Sequence, residues 1–116
     1  MSERIDDLTV KLRDDRLNQW AYGGGEYKLS DRVIKFVKEN KYSQDEIVLA
    51  HILAFGFITN KECNELYGFR HLPSIIQTIE KKIEKDGKAI KTTPKDGESR
   101  FGKARPYFEY SVESAA

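Results

Sequence analysis

The sequence has little of what small proteins use as covalent or metal cross-links. It contains one cysteine, Cys63, and two histidines, His51 and His71, among 116 residues. A single cysteine cannot form an intrachain disulfide, and neither a CxxC nor an HxxxH spacing is present. We therefore expect no metal site and no cofactor, and we interpret Cys63 and His51 as buried structural residues.

Long apolar runs are also missing. No segment approaches the roughly 20 apolar residues that a membrane-spanning helix needs, and the chain opens without a charged-then-apolar leader. These absences favour a cytoplasmic protein of a reducing compartment. The length suits one core and is too short for two well-packed halves.

The chain lacks a strong net charge, but its charges are unevenly distributed. The formal net charge of +1 gives by itself no sign of a polyanionic partner. From Arg70 to Arg105, however, ten basic residues stand against five acidic ones, whereas Met1 to Phe69 carries a net −2. Positive charge collected in one third of the chain is the pattern that attracts phosphate.

Motifs typical of enzymes are absent too. The acidic pairs Asp6-Asp7 and Asp14-Asp15 fall on a predicted surface helix, where adjacent residues diverge, so they form no paired-carboxylate site. The stretch YGGGEY has neither the Lys-Ser/Thr ending of a phosphate-binding loop nor a strand before it. We expect that the protein is not an enzyme.

Apolar spacing predicts two helices before residue 43. The segment ERIDDLTVKLRDDRLNQWAY carries apolar residues on two sides of one helix and stops before Gly23-Gly24-Gly25. Ser30 is the predicted N-cap of a second helix that runs to about Asn40.

Two capping boxes and one amphipathic segment predict three more helices. Ser43-Gln44-Asp45-Glu46 opens an apolar helix that ends at Gly56, and Thr59-Asn60-Lys61-Glu62 opens a short helix that ends at Tyr67. From Leu72 to Gly87 apolar residues recur every three to four positions. KAIKTT and PYFEYSV then read as two strands of a hairpin, joined by the polar loop PKDGES.

This order of helix, short helix, glycine-containing turn, longer helix and hairpin is that of a winged helix-turn-helix, whose third helix enters the major groove of DNA. We predict a mainly α fold with a small β-hairpin, made of an N-terminal helical extension over 1–42 and a winged helix-turn-helix domain over 43–113.

The outer face of the third helix and the wing supply the predicted DNA contacts. Short polar side chains can reach base edges, and Gln can bond adenine bidentately. The predicted base contacts are His71, Ser74, Gln77 and Thr78. Basic side chains contact phosphate without reading sequence. The predicted phosphate contacts are Arg70, Lys81, Arg100, Lys103 and Arg105.

Five short pieces of the sequence occur in a recognisable order. They are His51-Ile52-Leu53, Gly56-Phe57-Ile58-Thr59, Leu66-Tyr67-Gly68, His71-Leu72 and Arg100-Phe101-Gly102-Lys103-Ala104-Arg105. This series resembles the helix-turn-helix domain of many small bacteriophage proteins, and its last piece is similar to the RFGGKAR-like wing of that family. The resemblance implies a phage-encoded, DNA-binding protein in a bacterial host cell, usually a regulator. Where the family usually has an arginine before the Leu of the third helix, this chain has His71.

We therefore expect a small phage or prophage DNA-binding protein, a transcriptional regulator that reads double-stranded DNA as a homodimer with helix 72–86 and a basic wing over 95–105. The first helix has a wide apolar surface, which makes it the candidate dimer or partner element. Its predicted contacts are Ile5, Leu8, Leu12 and Trp20.

Other interpretations of the same residues stay open. KKIEKDGK is equally typical of a solvated helix face with i,i+4 ion pairs, and cations in an exposed loop can serve solubility alone. At the level of function, the alternative is a phage-encoded inhibitor that binds a host protein, such as a CRISPR-Cas defence system or a polymerase, and keeps the winged helix as a scaffold. The acidic first half would then meet a basic partner surface.

Overall fold

The computed structural model describes residues 3–21, 27–99 and 101–114, and it describes the side chains of all of these except residues 98, 99 and 103–105. These parts of the chain form five helices and a three-stranded antiparallel sheet. The elements are α1 (Glu3–Ala21), α2 (Asp31–Glu39), α3 (Gln44–Phe55), β1 (Ile58–Thr59), α4 (Asn60–Glu62) with a π-helical continuation (Cys63–Tyr67), α5 (Leu72–Ile83) with a 3-10 turn (Glu84–Asp86), β2 (Lys88–Ser99) and β3 (Gly102–Ser114). The predicted mainly α fold is confirmed at this level. The predicted break at residues 23–25 lies outside the described residues.

Both predicted capping boxes are confirmed. At the start of α3 the Ser43 hydroxyl accepts a hydrogen bond from the Glu46 amide at 3.4 Å, and the Glu46 carboxylate accepts one from the Ser43 amide at 3.1 Å. Thr59 and Glu62 make the same reciprocal pair at 3.2 Å in each direction. Side chains thus satisfy amide groups that a helix start leaves without a partner.

The central helix is α3. Six consecutive residues, Ile47 to Ile52, are buried, so the helix has no solvent-facing side over this stretch. α1 packs against it from one direction and α5 from another. A helix that is apolar nearly all round is stable only when other elements surround it in this way.

Two clusters of buried side chains share α3. In the first, the inner face of α5 packs with residues of α3, β1 and α4. Its members are Val48, Leu49, Ile52, Ile58, Cys63, Leu72, Ile75, Ile76, Ile79 and Ile83. The second joins α1 and α2 to the other side of α3 through Leu8, Leu12, Val33, Ile47 and Ala50. The N-terminal extension therefore shares its core with the rest of the chain.

The sheet has the strand order β1-β3-β2, so β3 is central. Its pairing with β2 runs from Lys88↔Ser114 to Ser99↔Gly102, with a register shift between Lys95 and Gly97. The prediction of a polar loop over 94–99 is therefore wrong, because these residues belong to β2. β2 ends at Ser99 and β3 begins at Gly102, whose φ of 113° suits a residue without a Cβ.

No helix in the described part of the chain is long and apolar enough to cross a membrane.

Candidate functional site

The outer face of α5 carries the four predicted base-contact residues. Ser74, Gln77 and Thr78 are exposed on the helix, and His71, its N-cap residue, is exposed just before it. The Thr78 hydroxyl donates to the Ser74 carbonyl at 3.2 Å, which holds that side chain against the helix. Because the aliphatic inner face is fully engaged with α3, α4 and the sheet, these polar side chains are left facing solvent.

The predicted phosphate contacts are only partly described. Arg70 and Lys81 are exposed, and among the described residues neither has a carboxylate within 4 Å. Lys85, one turn beyond Lys81, is also exposed and has no carboxylate within 4 Å in the part of the chain that the structure describes. Arg100 lies outside the described residues, and so do the side chains of Lys103 and Arg105, whose backbone belongs to β3.

Acidic residues reduce the positive charge at the C-terminal end of α5. A groove between α5 and β2 is lined by Glu80, Glu84, Lys81 and Lys88, so its charged residues balance. Lys82 forms an ion pair with Asp45 of α3. The cations best placed to contact an anion are therefore Arg70, which precedes α5, and the exposed Lys81 and Lys85.

The β2–β3 hairpin is long and ends in an exposed aromatic residue. A strand of 12 residues spans roughly 40 Å. At its tip the Phe101 side chain is 99% exposed. Because exposing a phenyl ring to water is costly, we expect Phe101 to pack under the hairpin and anchor it. The structure shows its side chain exposed instead.

Three of the four predicted dimer contacts pack against the chain's own core, and the prediction is wrong for the two that are fully buried. Leu8 is 0% and Leu12 1% exposed, and Ile5 packs against both clusters. These residues turn inward because α3 has no polar side and needs an apolar cover. Trp20 is 54% exposed, and the apolar side chains that α1 does expose with it are Val10 and Leu17.

Asp15 is buried, so Asp14-Asp15 is not a surface pair as the sequence predicts. Its side chain accepts hydrogen bonds from the Tyr27 hydroxyl at 2.7 Å and from the Ser30 amide at 3.2 Å. Arg32 lies 3.9 Å away as an ionic partner. Burial, followed by the hydrogen bond to Asp15, raises the pKa of Tyr27 above its usual value. This network holds the segment before α2 against α1.

His51 is a hydrogen-bonded core residue, as predicted. It is 1% exposed, and its Nδ1 shares a hydrogen bond with the Tyr67 hydroxyl at 2.7 Å. Its Nε2 lies 3.7 Å from Glu62 Oε2, beyond hydrogen-bond distance, and has no partner among the described residues. Burial alone would raise the pKa of Glu62, but His51 and the hydrogen bonds with Thr59 outweigh it and hold that pKa below its usual value.

A cavity of about 330 Å³ opens between α1, α3 and α4. It is lined by Arg16, Trp20, Tyr27, His51, Phe55, Glu62, Glu65 and Leu66. The guanidinium carbon of Arg16 lies 4.6 Å from the ring centre of Trp20 and 5.1 Å from that of Phe55. Sequence reasoning missed this site. The i,i+4 spacing of Arg16 and Trp20 was the available signal, since helix residues four apart can touch.

Cys63 is fully buried in the first cluster, as predicted, and burial raises the pKa of its thiol to about 11. Within the described parts of the chain, no three His, Cys, Asp or Glu side chains are grouped so that they could hold a metal ion.

Comparisons of the chain with protein-family models, with curated proteins and with solved structures found no significant match.

Proposed function

We propose that the chain is a winged helix-turn-helix protein that binds double-stranded DNA and regulates transcription, in a phage or prophage. The observation that carries this proposal is the order α3, β1, α4, α5, β2, β3 together with the strand order β1-β3-β2. This arrangement leaves α5 covered on its aliphatic side and polar on its outer side, which is what a helix in a DNA groove requires.

In this function α5 enters the major groove and its first two turns read bases. Gln77 has the two-sided amide that pairs with adenine, and Ser74 and Thr78 are short enough to approach base edges beside it. Arg70 and Lys81, which have no carboxylate partner among the described residues, contact the phosphates on either side of the groove.

The hairpin acts as the wing. Its sequence places Arg100, Lys103 and Arg105 around the exposed Phe101. Cations at such a tip follow the phosphate backbone, and an exposed aromatic ring can stack on bases or wedge between them in the minor groove.

A homodimer would increase both the affinity and the length of the DNA sequence that is read. The exposed apolar residues Val10, Leu17 and Trp20 of α1 replace the buried leucines as the candidate contact surface. In an antiparallel pairing of two α1 helices, Val10 of each copy would lie opposite Leu17 of the other. Arg13 would then meet Asp14, so the surface is self-complementary.

Fluorescence anisotropy with a labelled random-sequence duplex, measured over a series of salt concentrations, tests DNA binding. We expect the logarithm of the affinity to fall linearly with the logarithm of the salt concentration. Lys81→Ala should reduce that slope by about 0.9. Lys38→Ala, which removes an exposed lysine from α2, should leave it unchanged.

Selection of bound duplexes from a random pool then tests base reading. We expect a palindromic site, and Gln77→Ala should cost about 1–3 kcal/mol on that site and relax the preference at one base pair per half-site. Absent or salt-independent binding to duplex DNA contradicts the proposed function.

The exposed apolar stripe of α1 also favours a second candidate, an inhibitor that binds a host protein through this helix. Pull-down from host lysate with and without nuclease separates the two functions. Nuclease-resistant capture of one protein, lost in Leu17→Asp and retained in Gln77→Ala, would favour the inhibitor. Loss of every captured protein after nuclease treatment would favour the DNA-binding regulator.

A further inference from the structure

The cavity between α1, α3 and α4 holds opposite charges on different helices. Arg16 lies on α1, whereas Glu62 and Glu65 lie on α4 and its π-helical continuation. Arg16 has no carboxylate within 4 Å among the described residues, although it lines the same small cavity as the two glutamates. Opposite charges that are partly removed from water attract more strongly than they do in bulk solvent. A ligand that carries both signs would join them.

Two buried polar atoms at this cavity lack a hydrogen-bond partner within the described residues. They are Nε of Arg16 and Nε2 of His51, and His51 is 1% exposed. A native fold rarely leaves buried polar atoms of this kind unsatisfied. Glu62, whose Oε2 lies 3.7 Å from His51 Nε2, lines the same cavity. A polar group of a ligand could supply the missing partner after a small side-chain shift.

The rest of the lining is apolar and largely aromatic. Trp20, Tyr27, Phe55 and Leu66 surround a volume of about 330 Å³, which lies in the size range of small-molecule sites. The π-helical continuation of α4 forms part of the wall, and such distortions are frequent at functional sites.

From these observations we propose that the cavity binds a small zwitterion with an apolar side chain, of which a free aromatic amino acid is the simplest example. Its carboxylate meets the guanidinium of Arg16, which the rings of Trp20 and Phe55 hold in place. Its ammonium group donates to Glu65 and to Oε2 of Glu62, the oxygen that does not bond Thr59. Its side chain packs among the rings.

This site is independent of the proposed DNA interface, since none of its lining residues belongs to α5 or to the hairpin. A failure of DNA binding therefore leaves this proposal standing, and the reverse also holds.

The fluorescence of Trp20 provides the test, because the chain contains one tryptophan and it lines the cavity. Three probes with the same ring are titrated at equal ionic strength: L-phenylalanine, phenethylamine and 3-phenylpropionate. The last two keep only the ammonium or only the carboxylate. We expect a saturable change with L-phenylalanine and an affinity about tenfold or more above that of either analogue, because each analogue lacks one charge-assisted hydrogen bond.

Two variants assign the two charges. Glu65→Gln should lower the affinity for L-phenylalanine towards that of 3-phenylpropionate, and Arg16→Gln should lower it towards that of phenethylamine. Glu84→Gln and Lys85→Gln, which make the same charge changes on the 3-10 turn after α5, are the matched controls and should not change the affinity. Because Glu65 is exposed, Glu65→Gln should fold even if Arg16→Gln does not. In that case Arg16→Lys replaces Arg16→Gln, since lysine keeps the positive charge but lacks the planar guanidinium group.

The proposal is overturned if no probe changes the Trp20 emission at millimolar concentration. Equal affinity for L-phenylalanine and either analogue also overturns it, since one charge would then suffice. An unchanged affinity in Glu65→Gln would contradict the assigned role of that carboxylate.

Discussion

The helices α1 and α5 both cover the central helix α3, but they do so by different means. α5 turns five aliphatic residues inward and buries no polar side chain. α1 buries Leu8 and Leu12 together with Thr9 and Asp15, and it exposes Val10, Leu17 and Trp20. Aliphatic packing alone attaches α5 on its inner side, whereas α1 also depends on specific hydrogen bonds.

This difference explains what each helix leaves free. Because α5 uses only its apolar side for packing, its outer face is available as one continuous polar surface. α1 has polar groups on its buried side and apolar groups on its exposed side. Its surroundings therefore contain a cavity with buried polar atoms that lack partners among the described residues. The first pattern suits DNA, and the second suits a small ligand or a second protein surface.

Deleting core side chains from each helix tests whether both belong to one cooperative core. Ile79→Ala in α5 and Leu12→Ala in α1 should each lower the free energy of unfolding by about 2–5 kcal/mol, because each leaves a cavity at a buried site. Urea denaturation measures both. Gln77→Ala and Asp14→Ala, on the exposed sides of the same helices, should change the free energy of unfolding by no more than about 0.5 kcal/mol. A small loss for Leu12→Ala alone would show that α1 is only loosely attached.

The thiol of Cys63 reports on the α5 side of the core. With a pKa of about 11 instead of 9.0, its thiolate fraction at neutral pH is lowered about a hundredfold. Labelling by a thiol reagent should be slow in the folded chain and fast in urea, and Ile79→Ala should accelerate it more than Leu12→Ala does.

The same pKa makes stability depend on alkaline pH. The unfolded chain loses the thiol proton first, so the contribution of Cys63 to stability is complete below about pH 9.0 and is lost as the pH rises through about 11. The Cys63→Ala variant should lack this part of the alkaline decline. A wild-type thiol that reacts rapidly while folded would contradict its burial.

Removing the buried carboxylate of α1 tests the polar half of the comparison. Asp15→Ala should lower the free energy of unfolding by about 2 kcal/mol, because the Tyr27 hydroxyl and the Ser30 amide lose a charged hydrogen-bond acceptor. Asp14→Ala, next to it and exposed, is the matched control and should have little effect. Equal effects of the two substitutions, measured by urea denaturation, would contradict the network.

Each of the two helices also forms one exposed ion pair with the start of α3. Removing these pairs should change the free energy of unfolding least. Arg4 of α1 pairs with Glu46 at 3.1 Å, and Lys82 of α5 pairs with Asp45. Burial opposes ionisation of both carboxylates, but these partners outweigh it and hold the pKa of each below its usual value. Their stabilisation is therefore present at neutral pH and is lost as the pH falls through the acid range.

Carboxyl NMR titrations separate the two pairs. Lys82→Gln should raise the pKa of Asp45 and leave that of Glu46 unchanged, and Arg4→Gln should do the reverse, so each variant is the control for the other. If either variant raised both values, the two pairs would be coupled through the start of α3.

Sequence reasoning succeeded where one local interaction decides the structure. The capping boxes at Ser43 and Thr59 act within four residues, and both helices begin where predicted. The inner side of α5 was predictable because apolar residues recur along it every three to four positions, although the spacing left open whether Ile75 or Ile76 faces inward and the structure buries both. The outward position of Ser74, Gln77 and Thr78 follows from the same periodicity.

The predictions failed where the choice depended on distant partners. Two apolar stripes of α1 compete for the core, and periodicity alone does not rank them, so Leu8 and Leu12 were assigned to a dimer surface. Asp15 was assigned to the surface because its hydrogen-bond donors, Tyr27 and Ser30, lie 12 and 15 residues away. The segment 94–99 was assigned to a loop because its composition is polar, although pairing with β3 makes it a strand.

The sequence by itself determined where α3 and α4 begin, which helix is central and which side of α5 is buried, because capping and periodicity act over a few residues. Only the tertiary structure decided which side of α1 faces the core and that Arg16, His51 and Glu65 line one cavity. These outcomes depend on side chains that are far apart along the chain, and their free energies are set by burial and by partners that local sequence does not specify.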